Sequence, residues 1–180
     1  MQRSFPCNIF FLVKMTIILI RHSKDHNNDS ATYMYDAKLR SKGKKMARKL
    51  FTELIEKYGE PSKIYCSPFR RAVETAHEAM KLCKNAKIRN EPKIGRYFTR
   101  KEQKNPEIAP CTERNKPMIF EDKDSLNGRC KRFCEKIKKY RGKGTVVWAI
   151  SHTIPMKRCV AYFKLTPPDW FDFLEFFVIE

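Results

Sequence analysis

The sequence predicts an α/β fold, a three-layer α/β/α sandwich with a mostly parallel central sheet, and three observations carry that reading. The run "TIILI" (16–20) is apolar on both faces, as a central strand covered by helices on each side is, and "TVVWAI" (145–150) reads as another strand. Strand-like runs alternate with helical periods instead of with one another, which is the pattern of a parallel sheet built from crossover units. The 180 residues, 42% of them hydrophobic, are enough to bury one core without covalent or metal staples.

The elements follow in order. Residues 1–14 read as an N-terminal extension, with Met15 as an alternative start, and residues 15–180 as a single domain. After the first strand, Met46, Ala47, Leu50, Phe51, Leu54, Ile55 and Tyr58 recur at three and four, the period of an amphipathic helix over 41–58 with a basic outer face. "KIYC" (63–66) is a short strand. In "SPFRRAVETAHEAMKLC", Ser67 is placed as the N-cap and Pro68 as the first helical residue, which predicts a helix to about Cys83. Residues 91–123 hold four of the ten prolines, many charges and no sustained period, so they read as a long lid-like excursion. A helix over about 125–140, the strand "TVVWAI", a helix after Pro155 and a last strand in "FDFLEFFVIE" complete the chain.

Composition narrows the partners. A net charge of +18 favours anionic ligands, namely phosphorylated small molecules, phosphoproteins or nucleic acid, although lysines scattered over every segment equally fit a solvated surface. Seven cysteines, odd in number and without a CxxC pair, point to reduced thiols in a cytoplasm-like compartment. The apolar runs "NIFFLV" and "TIILI" are separated by Lys14, lack a small-residue cleavage signature and are each too short to span a bilayer, so no membrane role is expected.

In a parallel sheet ligands bind beyond the carboxyl ends of the strands. Three such ends carry chemistry: Arg21 and His22 after the first strand, Arg71 in "CSPFRRA" and His152 in "ISHT". Two guanidinium forks and two imidazoles around one point describe a phosphoryl pocket, because guanidinium matches phosphate oxygens bidentately and stays charged. His26 and His77 are assigned to surface or helix with no catalytic role.

These motifs, "LIRHS", "IYCSPFRRAVETA" and "WAISHT", resemble in order and spacing those of the histidine phosphatase superfamily, the phosphoglycerate mutase-like fold, over about residues 16–165. "LRSKGKKMA" and "DSLNGRCKRF" resemble two further segments of that family. The resemblance implies His22 as a nucleophile that becomes phosphohistidine, Arg21 and Arg71 as ligands of the phosphoryl oxygens, and a cationic His152 donating to the same group. It also implies that Asn28 contacts phosphate, that Ser23 and Thr153 line the substrate site, and that neither metal nor cofactor is needed.

The family's arginine directly precedes an Ala-x-x-Thr run, here "AVET" after Arg71, so Arg70 is placed facing solvent; Ser23 stands where glycine or alanine is usual, Thr153 where glycine is, and Arg96 where the general acid, a glutamate, is expected. Glu91 lies on the wrong side of the turn, whereas Glu102 and Glu107, in the excursion, could swing in, and Glu102 is taken as the candidate acid. A substrate whose leaving group departs readily, such as phosphohistidine or an acyl phosphate, could manage without an acid. The expected function is a phosphatase acting on a phosphorylated small molecule or phosphoprotein. The alternative is a weak or inactive phosphatase-like module that binds phosphorylated ligands or nucleic acid, with nucleic acid the less favoured partner; a mutase is disfavoured by the short chain.

Overall fold

The computed structural model describes residues 15–25, 37–97, 122–140 and 144–180. Five strands, β1 (Thr16–Arg21), β2 (Lys63–Cys66), β3 (Lys87–Asn90), β4 (Val146–Ser151) and β5 (Phe176–Ile179), form one sheet in the order β3-β2-β4-β1-β5. All neighbours run parallel except β5, which closes the edge antiparallel to β1. The helices are α1 (Ser41–Tyr58), α2 (Arg70–Met80), α3 (Lys123–Lys138) and α4 (Thr153–Tyr162).

The side-chain alternation of the strands divides the core in two. Ile18, Ile20, Ile64, Cys66, Trp148 and Ile150 face α1 and α2, where Phe51 stacks on Trp148 at 5.1 Å between ring centroids. Ile17, Leu19, Tyr65, Val147 and Ala149 face α3 and α4, against Leu126, Phe133, Ile137 and Val160. The three-layer, mostly parallel α/β architecture is therefore the one the apolar runs require. In α1 the buried stripe is Gly43, Ala47, Phe51 and Leu54, while Met46 lies at the solvent edge.

Several boundaries differ from the sequence reading. Helix α2 begins at Arg70, with Phe69 at its N-cap, so Ser67 and Pro68 precede the helix. It ends at Met80 instead of Cys83. Helix α3 starts two residues earlier than expected because the Asp122 carboxylate accepts the Ser125 amide at 2.7 Å and caps it. The last strand is confined to 176–179, since residues 172–175 form a turn closed by the Glu175 amide donating to the Asp172 carbonyl at 3.0 Å. Strand β3, "KIRN", was not assigned from sequence: it is a short, charged edge strand, the form sheet edges take to resist further pairing. Of the predicted excursion, 98–121 lies outside the described residues; at its start a 3-10 turn spans Pro92–Ile94.

Candidate active site

Register assembles the site. Arg21 pairs with Ser151, so His22 and His152 each leave the sheet one residue later, on adjacent strands. The His22 amide donates to the Ser151 carbonyl at 3.0 Å, and the Ser67 amide donates to the Ile150 carbonyl at 2.9 Å. His22, His152 and Ser67 thus stand in a row at the carboxyl ends of β1, β4 and β2. The two imidazole centroids are 5.0 Å apart with the rings tilted by 59°, and both residues are only 5% exposed.

His22 Nδ1 lies 2.9 Å from the Ser23 carbonyl oxygen. A carbonyl only accepts, so Nδ1 carries the proton and the lone pair resides on Nε2. Burial first, then the Arg71 guanidinium, hold the His22 pKa well below the ordinary imidazole value, against a smaller opposing effect of the Ser23 carbonyl. The resulting species is a neutral imidazole with a free Nε2, the nucleophilic form.

His152 Nε2 is hydrogen-bonded to the Ser67 hydroxyl at 2.9 Å, and the Phe69 ring packs against its imidazole at 5.2 Å. This corrects the placement of Ser67 as a helix cap: its hydroxyl faces the site instead. The expectation of a cationic His152 is also corrected. Burial, Arg71 and His22 push its pKa well below the ordinary value, so it is neutral in this structure.

A pH dependence follows with a definite sign. Below about pH 6.5 the unfolded chain protonates both imidazoles while the folded one does not, so the unfolded state binds more protons. Stability is therefore full above about pH 6.5 and falls below it, by up to about 1.4 kcal/mol per pH unit for each histidine. Melting temperatures measured from neutral to about pH 5 are expected to drop more steeply for the wild type than for His152→Asn; equal slopes would contradict the neutral pair.

Arg71, 2% exposed, points into the same region from the first turn of α2. Its Nε lies 3.4 Å from Asp25 Oδ2, an ion pair whose two side chains are 2% and 3% exposed. Arg21, the last residue of β1, donates from Nη1 to the Phe171 carbonyl and lies 4.0 Å from Asp172 Oδ1. Its Cζ sits 4.3 Å from the Phe173 ring centroid, and that ring packs edge-on to His22 at 5.7 Å. All four residues expected to converge, Arg21, His22, Arg71 and His152, are thus brought to one end of the sheet.

The remaining expectations fare differently. Ser23 is fully buried, and its hydroxyl donates to the Gly43 carbonyl at 2.7 Å while its amide donates to Thr75 Oγ1. Its hydroxyl is thereby committed to the start of α1, and its carbonyl orients His22. Gly43 is required there, because a Cβ would lie 2.3 Å from the Lys24 carbonyl oxygen. Thr153 is likewise committed, its hydroxyl donating to the Phe171 carbonyl at 3.3 Å. Asn28, His26 and Glu102 lie outside the described residues. His77 is exposed on α2, and Arg70 pairs with Glu74 at 2.8 Å on the helix surface.

Glu91 is buried, but its carboxylate accepts from Lys136 at 2.6 Å and Lys93 at 3.2 Å. Burial alone would raise its pKa; the two lysines outweigh that and hold it low. The turn after it is pinned twice, by Ser151 Oγ donating to the Ile94 carbonyl at 2.6 Å and by Arg129 Nη1 donating to the Lys93 carbonyl at 2.6 Å. Arg96, two residues on, adds its charge to those of Arg71 and Arg21 in lowering the pKa of both histidines. Sequence reasoning missed Asp25, Ser67 and Phe173 as parts of the site. Asp25 was signalled as the nearest acid to the RH pair, whereas Ser67 and Phe173 had no local signal.

The family model for the histidine phosphatase superfamily (branch 1) matches residues 17–176. The chain belongs to this superfamily. No curated protein sequence matches it, but solved structures with the superfamily's fold do. Ecdysone phosphate phosphatase from Bombix mori, in complex with tungstate, superposes with a TM-score of 0.72 at 14% identity, over 93% of this chain and 89% of that one. YhfR from Bacillus stearothermophilus gives 0.67 at 23% identity, over 92% and 91%. The protein histidine phosphatase SixA, also complexed with tungstate, gives 0.62 at 18% identity, over 92% and 88%.

Proposed function

We propose that the protein is a phosphatase that hydrolyses a phosphorylated substrate through a covalent phosphohistidine on His22. The observation that carries this reading is the His22 tautomer: Nδ1 is fixed on the Ser23 carbonyl, so Nε2 offers a lone pair beside His152 and Arg71. Two structural relatives are complexed with tungstate, a tetrahedral oxyanion resembling phosphate, which supports a reading in which this fold binds an oxyanion.

In the first step His22 Nε2 attacks phosphorus in line, a P–N bond forms, and the bond to the leaving group breaks with its electron pair going to that group. Arg21 and Arg71 hold the equatorial oxygens, and the charge they supply offsets that of the transferring group. A phosphoryl dianion between the rings favours protonation of His152, which then donates to it. Water attacks phosphorus in the second step, returning the P–N electron pair to His22 and leaving inorganic phosphate. Incubation with an aryl phosphate, acid-free quenching and peptide mass analysis are expected to find one phosphoryl group on the peptide containing His22. Its absence during measurable turnover would overturn the mechanism.

Arg96 bears on the leaving group. A cation stabilises a departing anion but donates no proton at neutral pH, so turnover is expected to fall steeply as the leaving group of substituted phenyl phosphates becomes more basic. Arg96→Glu supplies a proton donor and is expected to flatten that dependence, improving phenyl phosphate relative to nitrophenyl phosphate by about 10-fold or more. An unchanged slope in the variant would remove Arg96 from the leaving-group side.

A further inference from the structure

The chain between α4 and β5 builds a surface that the phosphoryl chemistry does not use. Helix α4 ends in a Schellman motif, with the Leu165 amide donating to the Val160 carbonyl at 3.3 Å and Lys164 at a φ of 60°. The chain then passes Pro167 and Pro168 and reaches the turn at 172–175, where Leu174 adopts a φ of 63° and the Phe173 amide is held by Asp172 Oδ1 at 2.7 Å. This segment borders an open groove of about 690 Å³, lined by Pro167, Trp170, Phe173, Leu174, Phe176 and Phe177 among others. That volume lies within the roughly 300–1,000 Å³ of small-molecule sites.

Two features tie the groove to the active site. Trp170 is 61% exposed and Phe176 39%, an apolar display that water disfavours and that marks a binding surface when it adjoins a site. The Arg21 guanidinium lies between Trp170, at 5.2 Å, and Phe173, at 4.3 Å, and Phe173 in turn touches His22. One continuous aromatic wall therefore runs from the imidazole, past a cation, into the groove.

We propose that this groove is a subsite for the apolar body of the substrate, so that the preferred substrate is an amphipathic phosphate monoester with an alkyl or aryl group beside its phosphate. The proposal rests on the phosphatase reading for the position of the phosphoryl group. The order of surfaces fits such a ligand: cationic where the phosphate sits, aromatic next to it, and apolar beyond. A second copy of the chain seated on the β5 edge is the competing occupant, and the test includes it.

Phenylphosphonate and 4-butylphenylphosphonate bind without being cleaved, so their affinities test the groove independently of turnover. Calorimetry is expected to show the butyl compound binding about 10- to 100-fold tighter, given roughly fourfold per fully buried methylene. Binding should change the tryptophan fluorescence, which at an exposed position comes from Trp170 because Trp148 is fully buried. Phe176→Ser and Trp170→Ala should each reduce the butyl gain to less than about threefold, and two surface variants guard against the misfolding of one. Equal affinities, no binding by either phosphonate, or a concentration-dependent dimer that Phe176→Ser dissociates would each overturn the subsite. A butyl gain without any turnover of 4-butylphenyl phosphate would leave the subsite standing and sink the phosphatase reading instead.

Discussion

His22→Ala is expected to lower turnover of an aryl phosphate by on the order of 10⁴-fold or more, with no phosphoenzyme left to trap. Losses of that size arise when the group removed forms the bond, since the remaining pocket retains only binding and electrostatic assistance. The fold should survive, because the backbone of residue 22 is held by its own amide on the Ser151 carbonyl and not by the side chain. Steady-state kinetics and a melting curve on the same sample read both effects. Equal rates in the wild type and the variant would show that the measured activity does not come from His22.

Arg71→Ala is expected to have the second largest effect, and it acts on stability as well as rate. Arg71 and Asp25 form a pair in which both side chains are almost wholly buried. Removing one member of a buried ion pair costs about 3–5 kcal/mol. For a chain of this length that corresponds to a fall of roughly 10 °C in melting temperature. The rate should drop by about 10²–10³-fold, the size seen when one preorganised donor to a developing charge is deleted. The double variant Arg71→Ala with Asp25→Asn separates the two: neutralising the remaining carboxylate should restore much of the stability and none of the activity. Recovery of activity in the double variant would show Arg71 to be structural only.

Much of this architecture was legible in the chain, and the reasons differ by element. Strands β1 and β4 announced themselves because a strand buried on both faces has no polar alternation to disguise it, and α1 because its stripe repeats at helical spacing over 18 residues. Arg21, His22, Arg71 and His152 were legible because the topology sends the carboxyl ends of neighbouring parallel strands to one place. What was not legible depended on partners distant in sequence. Ser67 looked like a cap because a serine before proline and a helix usually is one, and its partner His152 is 85 residues away. Ser23 and Thr153 looked like substrate contacts from their places beside the histidines, yet the close approach of α1 and the loop carbonyl at Phe171 claim their hydroxyls. The edge strand β3 carries too much charge to be read as a strand without the sheet beside it.

The hydrogen bond from the His22 amide to the Ser151 carbonyl continues the ladder of the central strands past the last residue of β1. Binding groups in many proteins ride on loops that open long before the molecule as a whole unfolds. Here His22, the proposed nucleophile, hangs from an amide inside the central ladder, which is expected to exchange with solvent only as the middle of the sheet comes apart. Warming that loosens the surface connections would leave the spacing of the two imidazoles intact, so catalytic competence and the native sheet should be lost in a single event.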